Sequence, residues 1–477
     1  MAGQGTRRNP SRGRAAYLRL AAALAAVALL AAACTSSAPL ASVGATAAAP
    51  LAASPKAVVP PATPAGAQLR WLIAQEARLP LSDTQVRAHF DAAFLAQNSP
   101  DALNRILAAV IRIDLRSIQV SQPSTVVASV SAGQQAEQAQ VWLDVDSSGL
   151  ISWLRISPAN TGPVPATWAG VDSALRAVAP RVRLLVAKVG TGSCQPVHGI
   201  DPATAAPLGS VFKLYVLDAL ADAVAAGRVR WDQSLTVTAQ VKGLPPGELQ
   251  VEPDGTQVSV LDVAQKMASI SDNTAADMLI DLLGRPAIEA SLGNAGMASP
   301  ARNLPLLTTR EIYVLKLDQW PALAKRFIAA DESGRRALLA STVDRAPLPT
   351  LAAMGAWTTP HAIDSLEYFG SADDICRAYA TLAGLARQPG LSPLSQMLSV
   401  NDNGLQLDPA QWKTTWFKGG SEPGALIQTY MATTRAGQSY VVTVQAENPA
   451  QPLDEATAVP AILAAVRGAF ALAARGG

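Results

Sequence analysis

Three cysteines and three histidines in 477 residues leave little material for a metal centre. His89, His198 and His361 lie far apart, in no H-E-x-x-H or paired-ligand spacing, so neither a metal nor a cofactor is expected. Charged residues make up only 16% of the chain, the formal net charge is +2, and no basic run occurs, which argues against nucleic acid as a partner. Apart from Cys34, only Cys194 and Cys376 remain. They are either one disulfide in an oxidising compartment or two buried thiols.

What is abundant is apolar sequence, beginning with the leader. Arg7, Arg8, Arg12, Arg14 and Arg19 precede an uncharged apolar run, Leu20 to Ala33, too short to span a bilayer comfortably. Residues 1–33 therefore read as a secretory signal. Its end, Leu30-Ala-Ala-Ala-Cys34, resembles a bacterial lipoprotein processing site, which would make Cys34 the lipidated first residue of the mature chain and give it a membrane anchor; cleavage near Ala33 with release of a soluble product is the alternative. Residues 34–66 are rich in Ala, Ser and Pro and almost uncharged, as expected of a flexible tether.

The remaining four hundred or so residues are too many for one small core, so two domains are expected. In residues 67–158, Leu69, Leu72 and Ile73, then Val86, Phe90, Ala93 and Phe94, recur at helical spacing, and Ser99-Pro100 opens a helix through Ile111. Alternation then takes over at Val126, Ala128 and Val130 and at Val141, Leu143 and Val145, with Asp146 to Gly149 turning into Leu150 to Ile156. This is a small α+β domain whose layout looks like the ketosteroid-isomerase or cystatin-like type. His89 and Asp91 within it read as structural residues. Residues 159–166 form a Pro/Gly/Thr linker, and 167–477 the second domain.

That domain opens with a helix, Thr167 to Ala179, and a hairpin of strands near Arg183 to Val189 and Val197 to Ile200. A long apolar helix, Val211 to Ala226, follows, with Gly227 at its C-terminal end. Ser210 and Lys213 sit three apart at its start, which on a helix brings hydroxyl and amine together. Serine needs a base at neutral pH, and a desolvated lysine serves as one. No G-x-S-x-G elbow surrounds Ser210, which counts against an α/β-hydrolase triad. Downstream, Ser271-Asp272-Asn273 precedes a helix from Thr274 to Leu283, and Lys418-Gly419-Gly420-Ser421 leads into alternating runs at Ala425 to Thr433 and Tyr440 to Gln445. Each element alone has a plain structural explanation: helix cap, loop, turn.

Together, S-x-x-K, S-D-N and K-G-G in this order resemble the serine-hydrolase superfamily of β-lactamases and penicillin-binding proteins, and its class A branch in particular. With the α+β domain in front, the chain is similar to two-domain proteins of clavulanic acid gene clusters and to actinobacterial lipoproteins of that layout. The resemblance implies an α/β sandwich with a five-stranded antiparallel sheet. It also implies that Ser210 is the acylated nucleophile, Lys213 its base, Ser271 a proton shuttle, Asn273 a substrate amide ligand and Asp272 a buried orienter. Lys418, Gly419, Gly420 and Ser421 would line the substrate, with the N–H groups of Ser210 and Ser421 as oxyanion donors.

Two departures stand out. Gly419 replaces the usual threonine, and no E-x-x-L-N loop with a deacylating glutamate occurs between Ser271 and Lys418. Glu367 is the acid in roughly the right place in the domain order, whereas Thr308-x-x-Glu311 reads as a capping box. The expected activity is slow, β-lactamase-like hydrolysis of a small amide or ester, such as a β-lactam or a peptidoglycan-related compound, by a monomer at the cell envelope. A D,D-peptidase or esterase of the same fold, and a non-catalytic cell-wall binding module, are the alternatives.

Overall fold

A computed structural model of the chain describes residues 58–75, 78–109, 113–132, 137–158, 163–190, 192–408 and 410–476. The leader and Cys34 lie outside the described residues. The chain divides into two compact units, Met1–Ala159 and Asn160–Gly477.

In the first unit, four helices, α1 (Pro64–Ile73), α2 (Asp83–His89), α3 (Ala92–Gln97) and α4 (Pro100–Ala109), precede an antiparallel sheet ordered β1 (Asp114–Ser121), β2 (Thr125–Ala132), β3 (Glu137–Val145), β4 (Ile151–Pro158). Helix α1 begins inside the stretch read as tether, because Thr63 accepts from the N–H of Gly66 (3.0 Å) and Pro64 suits the first turn. The core joins Leu69, Leu72, Val86, Phe90, Leu103 and Leu107 to the inward residues of β2 and β3. His89 stacks on Trp71 at 3.7 Å and meets Gln68 Oε1 at 2.9 Å; Asp91 caps α3. Strand β1 has no counterpart in the alternating pattern, since its pairing shifts register between Leu115 and Ser117 and again between Ile118 and Val120.

The second unit is built on an antiparallel sheet of β5 (Arg181–Val189), β6 (Cys194–Ile200), β11 (Trp412–Glu422), β12 (Ala425–Thr434) and β13 (Ser439–Glu447), ordered β11-β12-β13-β5-β6. The short strands β7 (Ala206–Pro207) and β10 (Phe369–Gly370) pair with each other, as do β8 (Ser234–Thr236) and β9 (Gln257–Ser259). One sheet face, through Leu184, Val186, Val442 and Val444, packs on α5 (Trp168–Arg176) and on a C-terminal helix, Glu455–Arg475. That helix is long and apolar enough to cross a membrane, yet Ile462, Val466, Ala469 and Phe470 are buried in this core.

The opposite face, through Leu185, Ala187, Ile427 and Val441, carries the larger core. Its centre is α6 (Lys213–Ala225), buried on nearly every side and surrounded by α7 (Val260–Ser269), α8 (Asn273–Leu283), α9 (Arg285–Asn294) and a later helix, Ala372–Leu385. Helix α10 (Thr309–Lys316) follows α9. Cys194 and Cys376 form a disulfide, which joins β6 to the helix Ala372–Leu385 and settles the question the sequence left open.

Candidate active site

The segment carrying Ser210 departs in detail from the expected helix start. Gly209–Phe212 is a 3-10 turn, and the α-helix begins at Lys213. Gly209 has φ +48°, which brings the turn under β11: a Cβ there would lie 3.1 Å from Ser421 N. Gly420 is held still closer, since a Cβ on it would meet Leu208 O at 2.4 Å and Ser210 N at 2.7 Å. The other side of the turn is fixed by the N–H of Leu208 donating to Tyr368 O (2.8 Å) and by Phe212 stacking on Tyr368.

These contacts set Ser210 against Lys213, whose side chain is fully buried while the hydroxyl stays partly open. Lys213 Nζ lies 3.2 Å from Ser210 Oγ, 3.2 Å from Ser271 Oγ, 2.5 Å from Ser271 O and 2.7 Å from Asn273 Oδ1. The two shortest partners can only accept. A neutral amine that donates both hydrogens to them therefore turns its lone pair toward the serine hydroxyls. Burial drives Lys213 to that neutral form, lowering its pKa to about 7 against the opposing pull of Asp272 and Asp277.

Ser271 has φ +62°, a conformation that costs a non-glycine residue roughly 1–2 kcal/mol. It turns the hydroxyl toward Lys418, whose Nζ is 2.9 Å away and whose pKa burial and the neighbouring Lys213 hold well below the usual lysine range. Asp272 is completely buried. It caps α8 through Ala275 N (2.8 Å) and accepts from the N–H groups of Glu248 and Leu249. Ser-Asp-Asn thus works both as a helix cap and as the wall of the site. At Gly419 the missing threonine has a visible counterpart: Phe417 Cζ lies 2.7 Å from where a Cβ would stand.

Ser210, Lys213, Ser271, Asn273, Lys418, Gly420 and Ser421 are thus gathered by the 3-10 turn and start of α6, the loop and first residue of α8, and β11. Glu367 is not in this group. Its Oε1 accepts from Tyr368 N (2.9 Å) and its Oε2 lies 3.3 Å from Lys316 Nζ, and among the described residues no hydrogen bond joins it to Ser210, Lys213 or Ser271. Glu311 is likewise engaged, closing the capping box with Thr308 and bound by Arg285 at 2.6 and 3.0 Å.

Several residues of the site have no motif to announce them. Asp277 accepts from Thr309 N, Thr309 Oγ1 and Arg310 N. Tyr313 reaches Asn273. Lys316, wholly buried, is paired with both Glu367 and Glu422, and burial together with the adjacent Glu367 carboxylate raises the pKa of Glu422 well above the usual range despite the Lys316 ammonium. Strand alternation alone could have found Glu422, since it shares a face of β11 with Lys418 and Gly420.

Residues 171–327 match the model of the β-lactamase enzyme family, and residues 60–151 match that of the ORF 12 gene product N-terminal region. No curated protein matches the chain. Similar solved structures include a β-lactamase from Sphaerobacter thermophilus (22% identity, TM-score 0.46, covering 64% of this chain and 96% of that one). Another is PBP-A (19%, 0.42, 65% and 98%), and a third is a β-lactamase from Francisella tularensis (13%, 0.46, 64% and 98%). The family model is matched across the segment that holds Ser210, Lys213, Ser271 and Asn273, and those side chains meet in one site, so this segment is β-lactamase-like, with the serine and lysine arrangement of a serine hydrolase.

Proposed function

We propose that this protein is a lipid-anchored enzyme of the cell envelope that forms an acyl-enzyme on Ser210 from a small amide or ester, such as a β-lactam or a peptidoglycan-related peptide, and releases it slowly. The observation that carries this reading is the buried amine of Lys213 beside Ser210 Oγ, with carbonyl oxygens taking its hydrogens.

Ser210 Oγ adds to the carbonyl carbon as its proton passes to Lys213 Nζ. The resulting oxyanion faces the N–H groups of Ser210 and Ser421, fixed donors of the kind usually worth most in such chemistry. The tetrahedral species then collapses. The bond to the leaving group breaks, Ser271 Oγ gives that group its proton, and the serine is reprotonated from Lys213, 3.2 Å away. Lys418, whose Nζ lies 2.9 Å from Ser271 Oγ, stands beside the proton shuttle as a hydrogen-bond donor for a polar group of the substrate. Release requires a base for water, and the engagement of Glu367 with Lys316 and Tyr368 supports a slow second step. The anchor rests on the apolar run before Cys34.

Labelling with a fluorophosphonate and with a β-lactam that lacks an acylamino side chain, read by intact mass, tests the reading. The parent protein should label with either probe, and Ser210→Ala and Lys213→Ala should not, even at raised pH. Equal labelling of parent and Ser210→Ala would rule out this nucleophile; no labelling of the parent would favour a binding module. A screen of penams, cephems, D-Ala-D-Ala peptides and simple esters separates a β-lactamase from a D,D-peptidase or an esterase.

A further inference from the structure

Asn273 has no amide hydrogen to spare. Its Oδ1 accepts from Lys213, one Nδ2 hydrogen goes to Leu244 O (2.9 Å), and the other goes to Tyr313 Oη (3.1 Å). Tyr313 donates its own hydrogen to Pro245 O (2.9 Å), so toward Asn273 its oxygen acts purely as an acceptor. In charge and position it does what a carbonyl oxygen of a bound substrate would do.

Tyr313 is also held in place. Three hydrogen bonds to Asp277 fix the first turn of α10, and Lys316, three residues after Tyr313 and on the same helix face, is paired with Glu367 and Glu422. Trp357 meets the Tyr313 ring edge-on at 6.4 Å. Moving the phenol aside would break bonds to Asn273 and Pro245 and strain a helix anchored at both ends.

We propose that Tyr313 determines specificity by standing where a substrate's side-chain amide carbonyl would meet Asn273, so that the site takes acyl donors lacking such a carbonyl beside the scissile bond. A β-lactam ring without an acylamino substituent, or a simple ester, fits; an acylamino penicillin must displace the phenol. The inference rests on the acyl-enzyme reading above and on Asn273 facing the substrate.

The test compares two probes on the intact chain, penicillanic acid and benzylpenicillin, which differ in the acylamino side chain. Acylation rates are followed by intact mass for the parent, Tyr313→Phe and Tyr313→Ala, with circular dichroism to confirm folding. Taking the ratio of the two rates within each protein and comparing it between proteins cancels the probes' intrinsic reactivities. Tyr313→Phe removes only the competing oxygen and should shift that ratio toward benzylpenicillin by about tenfold, the effect of one hydrogen bond at a buried site. Tyr313→Ala, which also makes room, should shift it at least as far. Labelling that persists with an unmoved ratio in both variants would overturn this inference and leave the acyl-enzyme reading standing. Failure of every protein to label with either penicillin would overturn this inference, which requires the unsubstituted ring to react, and failure with a fluorophosphonate as well would overturn the acyl-enzyme reading too.

Discussion

The proton inventory around Lys213 makes a direct prediction about pH. A general base must be neutral, and burial lowers its pKa to about 7, so Ser210 acylation should rise with pH and level off once that value is passed. Rates of penicillin labelling across pH check this, and a profile that is flat between pH ~5 and ~9 would contradict it. Gly420 makes a steric one. A methyl group there would meet Leu208 O and Ser210 N well inside contact distance, both of them backbone atoms that cannot step aside. Gly420→Ala should therefore abolish labelling and cost about 1–3 kcal/mol of stability, read from urea unfolding.

Most of these side chains were legible because the chemistry is packed into three short motifs. Ser210 and Lys213 are three apart, and Ser271 and Asn273 two apart. Tyr313 and Lys316 were not, because their meaning lies in contacts across long stretches of chain, 40 residues from Asn273 to Tyr313 and 106 from Lys316 to Glu422. No local period records such a distance.

Among the elements, α10 ties the site together. Its inner face carries Lys316, sheathed by two carboxylates that reach it from β11 and from the segment before β10. Replacing Lys316 by Met would strand two buried carboxyl groups and should destabilise the fold by about 3–5 kcal/mol. The pH dependence has a definite sign. Because the pKa of Glu422 is raised on folding, its contribution is present in full below the unfolded carboxylate value and is lost as pH rises through the folded one. Glu422→Gln, which cannot lose a proton, should melt progressively higher than the parent as pH is raised. A constant gap at every pH would contradict this.

The inward faces of β2 and β3 could be read from sequence as a period of two at Val126, Ala128 and Val130 and at Val141, Leu143 and Val145, whereas β5, β12 and β13, buried on both faces, could be read as apolar runs bounded by turn residues. β1 escaped because its register shifts break that period, and the 3-10 turn at Ser210 escaped because its apolar residues continue smoothly into α6. The boundary between tether and α1 was misjudged for a related reason: Pro and Gly, read as linker composition, here serve as the first turn of a helix.

At the scale of the whole molecule, the disulfide between Cys194 and Cys376 spans 182 residues and clamps the edge strand β6 to a helix of the larger core. Loss of both cysteines should lower stability by about 2–5 kcal/mol, seen as a fall in melting temperature that reductant reproduces in the parent and not in the variant. Such a bond suits the oxidising compartment of the proposed envelope location. Cys34→Ala should release the protein from the membrane fraction, since the acyl chains on that residue are the anchor proposed for the mature chain; retention would contradict the assignment.

In the proposed mechanism Ser210 is acylated quickly and freed slowly. Time-resolved intact mass after mixing with a β-lactam tests it most directly. An adduct stoichiometric with enzyme, localised by peptide mapping to Ser210, should form in a burst and persist while turnover continues far below the ~10 per second common among enzymes. Glu367→Gln should leave that steady rate nearly unchanged. Rapid, burst-free hydrolysis without a detectable Ser210 adduct, or the same adduct in Ser210→Ala, would contradict it.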